Sequence, residues 1–239
     1  MYWCLGMYGS ASTWVFNAAR KVAQALTPNR QILGPFVVAH RDLPPRTDDP
    51  HLIIIKSHET DEAAAAELHQ HATGIWISIR DPRDCVTSLL SYHGLSFAAA
   101  LDWVERSARF CARFTDDPRA ILFRYESGFV DDPETLATIA AGFGGVLPPA
   151  DRHRIFAETR RSVIDAFIAQ LETLPTVVRP KPDALVDRVT QWHDHHANRT
   201  GKIGRWRDAL TLAEAAAVEQ RLEDWMKAFD YHREVERGP

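Results

Sequence analysis

Short apolar runs recur through the first half of the chain, and amphipathic segments separate them. Runs of this length, rich in β-branched and aromatic residues, predict buried β-strands. The predicted strands are Tyr2 to Met7, Leu52 to Ile55, Ile75 to Ile79 and Ile121 to Phe123, with Phe36 to Ala39 a weaker candidate.

The intervening segments carry apolar residues at helical spacing. The first set follows Thr13 and consists of Val15, Ala19, Val22 and Leu26. The second set lies in a segment that Ser96 could cap and consists of Leu101, Val104, Ala108 and Cys111. Strands that alternate with helices form βαβ units. The pattern therefore predicts an α/β fold of three α/β/α layers, with a central parallel sheet and helices on both faces.

The last third of the chain is predicted to be mostly helical. Thr211 and Glu214 form a capping box that opens a helix through Leu222, Trp225 and Phe229. Residues 173–202 are rich in Pro, Asp, His and Arg without periodicity, which predicts a long loop or a mobile cover over the active site. Without internal repeats, residues 1–239 are expected to form a single domain with a helical C-terminal part.

Composition narrows the class of protein. A formal net charge of -4 disfavours a protein that coats nucleic acid or an anionic membrane, so a bound polyanion must be held by a local basic cluster. The three cysteines, Cys4, Cys85 and Cys111, are scattered, which indicates neither disulfides nor zinc and favours the reducing cytoplasm. No apolar run approaches the length of a membrane span, and a wealth of Ala and Arg hints at a bacterial source. The sequence does not indicate an oligomeric state.

The turn after the first strand, residues 6–14, is the most informative segment. Its small and hydroxyl residues would let backbone N–H groups converge on an anion at a helix N-terminus. The spacing imitates the phosphate loop G-x-x-x-x-G-K-S/T, but Ala11 replaces the second glycine and Ser12 replaces the lysine. An ordinary strand-to-helix turn with hydroxyl caps is the alternative.

Two further polar segments follow predicted strands and should meet at the same sheet edge. In the first, His58 could act as a general base while Lys56 stabilises negative charge, although a histidine at a strand end is often structural. In the second, Arg80 ends a strand, Pro82 opens a helix, and Ser88 lies two turns on. Surface salt bridges among residues 80–84 are the alternative for that segment.

The last polar segment, residues 198–207, is basic and glycine-punctuated, suited to closing over an anion. Just before it, His193, His195 and His196 invite a metal hypothesis, but no partner ligand stands at diagnostic spacing, so a polar loop is preferred. Acceptor recognition by this loop, or by Tyr92 and His93, is a further possibility.

Together these segments resemble the sulfotransferases that use 3′-phosphoadenosine 5′-phosphosulfate (PAPS). The family's 5′-phosphosulfate loop, P-K/R-S-G-S/T-T-W, corresponds to residues 8–14, and its K-T/S-H to Lys56, Ser57 and His58. Its 3′-phosphate motif, R-D/N-P-R/K-D-x-x-x-S, matches Arg80 through Ser88 at every fixed position. Tyr125 and Glu126 correspond to the start of Y-E-D, and residues 199–206 to R-x-G-x-x-G-x-W.

The resemblance implies a P-loop NTPase-like fold of the sulfotransferase type and in-line transfer of a sulfuryl group from PAPS to a hydroxyl or amine. It implies His58 as general base, with Lys56 supporting the departing phosphate, and a small-molecule acceptor; PAP, the desulfo product, would be released and no metal required. The implied donor-binding residues are Gly9, Ser10, Ala11, Ser12, Thr13, Trp14, Arg80, Ser88, Tyr125, Arg199, Thr200 and Gly201.

Gly9 departs from the family pattern, which usually has Lys or Arg at this position. Losing one preorganised charge can cost about a hundredfold in rate. Lys56 or Lys202 could compensate; otherwise the chain is a catalytically weak PAP- or PAPS-binding protein. Ala11 is a milder change provided that the turn needs no positive φ there. A small-molecule kinase is a further alternative, disfavoured by the missing loop lysine.

Overall fold

Strands and helices alternate through the chain as the apolar pattern predicts. The computed structural model describes residues 1–45, 51–182, 184–197 and 201–231. The strands are β1 Tyr2–Gly6, β2 Ile32–Leu33, β3 Leu52–Ser57, β4 Gly74–Ile79, β5 Ala120–Arg124, β6 Val177–Lys181 and β7 Ala184–Asp187. The helices are α1 Ser12–Leu26, α2 Glu62–His71, α3 Pro82–His93, α4 Phe97–Ala112, α5 Glu134–Gly142, α6 Pro149–Glu158, α7 Arg161–Ile168, α8 Trp206–Ala209, α9 Leu212–Arg221 and α10 Glu223–Ala228.

Among the described residues, β1 to β5 form a parallel sheet in the order β2-β3-β1-β4-β5. Strand β1 lies at the centre of the sheet, β3 and β2 lie on one side of it, and β4 and β5 lie on the other. Because β1 pairs with both β3 and β4, their carboxyl ends meet at one edge, where Leu5 lies opposite Ser57 and Gly6 opposite Ser78. Ligand crevices of open α/β sheets form at such a reversal of strand order.

Side chains of β1 alternate between two cores, which explains the helices on both faces. Trp3 and Leu5 pack with α2, α3, α4, α9 and α10 on one face, and Tyr2 and Cys4 pack with α1, α5 and α6 on the other. The predicted three-layer α/β fold with a central parallel sheet is therefore confirmed.

The weaker strand prediction for Phe36 to Ala39 is wrong. Ile32–Leu33 forms the edge strand, and Phe36 makes only an isolated bridge to Lys56. The N–H groups of Val38 and Ala39 donate to the Asp42 carboxylate, at 3.1 and 2.8 Å, so they cannot continue a ladder. A side-chain cap has replaced strand pairing here.

The C-terminal predictions hold in part. Thr211 and Glu214 form the predicted capping box, but the helix ends at Arg221, and Leu222 separates α9 from α10. The segment 173–202 carries more regular structure than the predicted loop, because β6 and β7 pair as an antiparallel hairpin. Its mobility stays a prediction. No helix in the described part of the chain combines the length and apolar character needed to cross a membrane.

Candidate active site

Ser10 stabilises the turn between β1 and α1 through hydrogen bonds on its buried side. Its hydroxyl donates to the Met7 carbonyl at 2.7 Å and lies 2.8 Å from the Ser78 hydroxyl, while its N–H donates to the same carbonyl at 3.3 Å. Ser10 is fully buried and does not line the cavity beside the turn. Ser10 therefore stabilises the loop and does not form part of the surface that faces the cavity.

Two residues of this turn adopt left-handed backbone conformations. Gly9 has φ 78°, and a Cβ there would lie 3.3 Å from Cβ of Ser88 and 3.4 Å from Cα of Cys85. A basic side chain at Gly9 would therefore be strained by both its backbone and its contact with α3. Ala11 has φ 63°, so the turn does require a positive φ and its alanine is strained.

His58 and Lys56 project from the end of β3 into the same space. The Nδ1 atom of His58 lies 2.6 Å from the Gly6 carbonyl oxygen, and Nε2 lies 3.4 Å from Nζ of Lys56. Because a carbonyl only accepts, Nδ1 carries the proton and Nε2 presents its lone pair. His58 is thus held in the tautomer that a general base requires.

Burial sets the charge states of this pair. It lowers the pKa of Lys56 to about 8, and the Lys56 side chain also lies 4.8 Å from the ring centroid of Phe36. Burial and then the neighbouring Lys56 charge hold the pKa of His58 well below its usual range. At neutral pH the imidazole is uncharged and the ammonium is mostly charged.

Arg80 is buried at the end of β4, where its guanidinium lies 4.2 Å from the ring centroid of Tyr125. Two of its nitrogens donate to the carbonyls of Gly9 and Lys202, at 3.2 and 2.9 Å. Its Nε and the Thr87 hydroxyl are buried and find no hydrogen-bond partner among the described residues. Both residues line the cavity, so the site holds donors that a ligand could satisfy.

Asp84 joins α3 to the glycine-punctuated segment. Its carboxylate accepts from the N–H groups of Gly204 and Trp206, at 2.7 and 3.0 Å, and lies 3.3 Å from Arg80. The motif contains Asp84, but its sequence position alone does not reveal this anchoring role. Only tertiary contact brings residues 204 and 206 to it.

The acidic and basic residues around the start of α3 are not surface salt bridges. Arg83 is buried, pairs with Asp81 at 2.7 Å and Glu219 at 2.6 Å, and lies over the Trp206 ring. This network ties α3 to α9, which makes Arg83 a structural residue.

Tyr125 and the late basic segment also lie next to Arg80. The Tyr125 hydroxyl donates to the Gly201 carbonyl at 3.1 Å, which brings the end of β5 to the late basic segment. Lys202 turns its ammonium toward Asp208 at 2.9 Å on the exposed surface, so compensation for Gly9 by Lys202 is not favoured by its position. Arg199 and Thr200 lie outside the described residues.

A cavity of about 570 Å³ collects most of the predicted site. The predicted residues that line it are Gly9, Ala11, Ser12, Thr13, Trp14, Lys56, His58, Arg80, Ser88, Tyr125 and Gly201. Sequence reasoning missed the lining contributed by Tyr8, Phe36, Thr87 and Arg205. Tyr8, Thr87 and Arg205 stand within segments already predicted to meet at the site, so their proximity could have been inferred; Phe36 needed the fold.

His93, His193, His195 and His196 also line this cavity. Within the described ranges, no group of three His, Cys, Asp or Glu side chains is arranged to hold a metal ion.

Comparisons with known proteins identify the fold. No protein-family model matches the sequence, and no curated protein matches it significantly. Among solved structures, the chain is similar to mouse sulfotransferase SULT7A1 complexed with PAP, with 15% identity, a TM-score of 0.68 and coverage of 98% of this chain and 86% of that one. It is also similar to retinol dehydratase complexed with androsterone and PAP, with 14% identity, a TM-score of 0.62 and coverage of 98% and 82%. A complex of retinol dehydratase with retinol and PAP gives 12% identity, a TM-score of 0.63 and coverage of 97% and 82%. The chain therefore has the fold of the sulfotransferases.

Proposed function

We propose that this protein is a sulfotransferase that moves the sulfuryl group of PAPS to a hydroxyl of a small-molecule acceptor. The observation that carries the proposal is the convergence of the β1–α1 turn, Lys56, His58, Arg80 and Ser88 on one cavity. The solved structures of the same fold that were compared hold PAP, which supports this donor.

The donor fits the polar groups of the cavity. A 3′-phosphate would satisfy the buried donors Arg80 Nε and Thr87 Oγ1, with Ser88 beside them on α3. The N-terminus of α1, at Ser12 and Thr13, suits the 5′-phosphosulfate. Trp14 and Tyr125 offer rings for the adenine. Arg199 and Thr200 are proposed to complete the phosphate contacts, as the sequence resemblance implies.

The catalytic roles follow from the geometry of His58 and Lys56. His58 Nε2 takes the acceptor proton, because the Gly6 carbonyl fixes the proton on Nδ1. The bond from sulfur to the acceptor oxygen forms as the bond to the phosphate oxygen breaks, and that oxygen keeps the electron pair. Lys56 stabilises the resulting charge, and no metal is required.

Gly9 supports a second candidate, a protein that binds PAP or PAPS but turns over slowly. Its positive φ and its close approach to α3 disfavour a basic side chain at this position, so Lys56 would be left to support the leaving group. This candidate predicts donor-site binding without measurable sulfuryl transfer.

Broader expectations accompany the proposal. We propose that residues 1–239 act as one domain in a reducing cytoplasm, to which the three buried free cysteines are suited. A small-molecule acceptor suits a cavity of about 570 Å³, which lies in the usual range for small-molecule sites.

Calorimetric titration with 3′,5′-ADP in EDTA tests the donor site without knowledge of the acceptor. We expect micromolar or tighter binding, lost in Arg80→Ala and retained in Arg154→Ala, which removes an exposed arginine of α6. A protein that binds only ATP with magnesium would contradict the proposal and favour a kinase. An acceptor screen comparing wild type with His58→Ala then separates an active enzyme from the slow binding protein.

A further inference from the structure

A continuous wall of rings leads away from the proposed base. The Tyr8 ring stacks on the His58 imidazole with centroids 4.1 Å apart, and Trp103 lies 5.2 Å from Tyr8. His93, at the end of α3, lies 6.1 Å from Trp103. All of these residues line the cavity, so the wall offers flat aromatic faces to a ligand whose hydroxyl sits at His58.

The wall ends in a cluster of four imidazoles, which we call the imidazole cluster: His93, His193, His195 and His196. The His195 ring lies 4.2 Å from His93, 4.7 Å from His193 and 4.5 Å from His196, measured between centroids. One member belongs to α3 and three to the segment that follows β7. The cluster therefore brings two chain segments together in the lining of the cavity that His58 also lines.

Hydrogen-bond chemistry makes this cluster a suitable anion site. A neutral imidazole donates one N–H, and a bound anion favours the protonated form, which donates two. The guanidinium of Arg205 lies 6.0 Å from the ring centroid of Tyr92, the residue next to His93. Asp194 lies 3.8 Å from His195 Nδ1, but its side chain does not line the described cavity.

The charged lining of the cavity also favours anions. Its described basic residues are Lys56, Arg80, Arg161, Lys202 and Arg205, although Lys202 turns its ammonium to Asp208 and Arg161 pairs with Asp165; its described acidic residues are Asp84 and Asp131. Asp84 already accepts from two backbone amides. The chain as a whole carries a net charge of -4, so this positive balance is local to the cavity. An excess of basic side chains over carboxylates disfavours a cationic amine there.

We propose that the acceptor is a planar hydroxylated molecule with an anionic group, whose hydroxyl lies at His58 and whose anionic group lies at the imidazole cluster. This inference rests on the proposed function and specifies its acceptor class. The rings of Tyr8 and Trp103 contact the planar part of the acceptor, and the imidazole cluster makes the site prefer an acceptor with a negative charge.

Three matched probes test this preference: 3-(4-hydroxyphenyl)propionate, its primary amide, and 3-(4-hydroxyphenyl)propylamine. Each is titrated calorimetrically into full-length protein saturated with 3′,5′-ADP. We expect the carboxylate to bind about tenfold more tightly than the amide, as one charge-assisted hydrogen bond allows, and the amine to bind most weakly.

Variants then locate the source of the preference. His195→Gln and His93→Gln should each remove most of the advantage of the carboxylate and change the amide's affinity less than about twofold. His153→Gln, on the exposed face of α6, serves as the control and should behave as wild type.

The inference is overturned if the amide or amine binds as tightly as the carboxylate, if both variants keep the preference, or if no probe binds. Binding of 3′,5′-ADP is measured first and separates this failure from that of the proposed function. A protein that does not bind 3′,5′-ADP contradicts the proposed function itself, and this inference with it.

Discussion

Ala11, the residue immediately before α1, has a strained backbone conformation. Its φ of 63° costs an L-residue about 1 kcal/mol relative to glycine. We therefore expect Ala11→Gly to raise the free energy of unfolding by about 1 kcal/mol in urea titrations. Ala66→Gly, at an exposed helical position of α2, should lower it by about the same amount. Equal destabilisation by both changes would show that Ala11 is not strained.

Lys56 should make donor binding depend on pH in the alkaline range. Its pKa of about 8 means that the ammonium is charged below pH 8 and loses its proton above it. We expect the affinity for 3′,5′-ADP to fall between pH 7 and pH 9, because the charged form favours the anionic ligand. Calorimetry across this range checks the effect. Lys56→Met should bind 3′,5′-ADP more weakly at pH 7 and lose this pH dependence. If the variant kept the pH dependence, a group other than Lys56 would be its cause.

Thr87 is expected to donate to the 3′-phosphate, since its buried hydroxyl has no described partner. It shares a face of α3 with Asp84 and lines the cavity together with Arg80. Thr87→Val should weaken binding of 3′,5′-ADP about tenfold, the usual loss for a hydrogen bond to a charged group. Binding of 5′-AMP, which lacks that phosphate, should not change. Thr138→Val, at an exposed site of α5, is the control. An equal loss for both nucleotides would indicate a structural role.

At the scale of elements, Asp84 decides how the late glycine-punctuated segment is placed. Its carboxylate accepts from two backbone N–H groups of that segment, and an Asn side chain would turn a donor toward one of them. We expect Asp84→Asn to lower the free energy of unfolding by about 1 to 3 kcal/mol. Amide hydrogen exchange at Gly204 and Trp206 should also become faster, whereas Asp151→Asn on α6 should leave it unchanged. Unchanged exchange at these two amides would contradict the anchoring role.

Pairing between strands explains where element prediction succeeded and where it failed. The central strands β1 and β4 are fully buried, so their apolar runs are nearly continuous and easy to recognise. The residues around Phe36 lie at the edge of the sheet, where the Asp42 carboxylate competes for the same N–H groups. Local hydrophobicity does not reveal such a competition.

At the scale of the whole molecule, donor binding should stabilise the fold without metal. A ligand that binds only the folded state raises the free energy of unfolding by about 2.7 kcal/mol at one hundred times its Kd. We expect 3′,5′-ADP to raise the unfolding temperature equally in EDTA and in magnesium. Arg80→Ala should remove the shift. A shift that requires magnesium would contradict the proposed donor site.

The site was predictable to the extent that it lies in contiguous motifs at strand ends. Lys56, His58 and Arg80 follow buried strands of a parallel sheet, so their meeting at one edge follows from topology. The sequence raised His93 and the loop with His193, His195 and His196 as candidates for acceptor recognition, but it did not predict how the aromatic and imidazole rings are arranged. Tyr8, Trp103 and His195 come from distant segments, and no local pattern indicates that their rings form one wall.

The sequence by itself determined the layered α/β fold, the positions of the central strands and the residues that resemble a donor site, because periodicity and short motifs are local properties. Only the tertiary structure decided the tautomer of His58, the strain at Ala11, the anchoring by Asp84 and the burial of the Arg83 ion pairs. These depend on carbonyls, amides and charges supplied by residues far away in sequence. Their positions follow from packing of the whole chain.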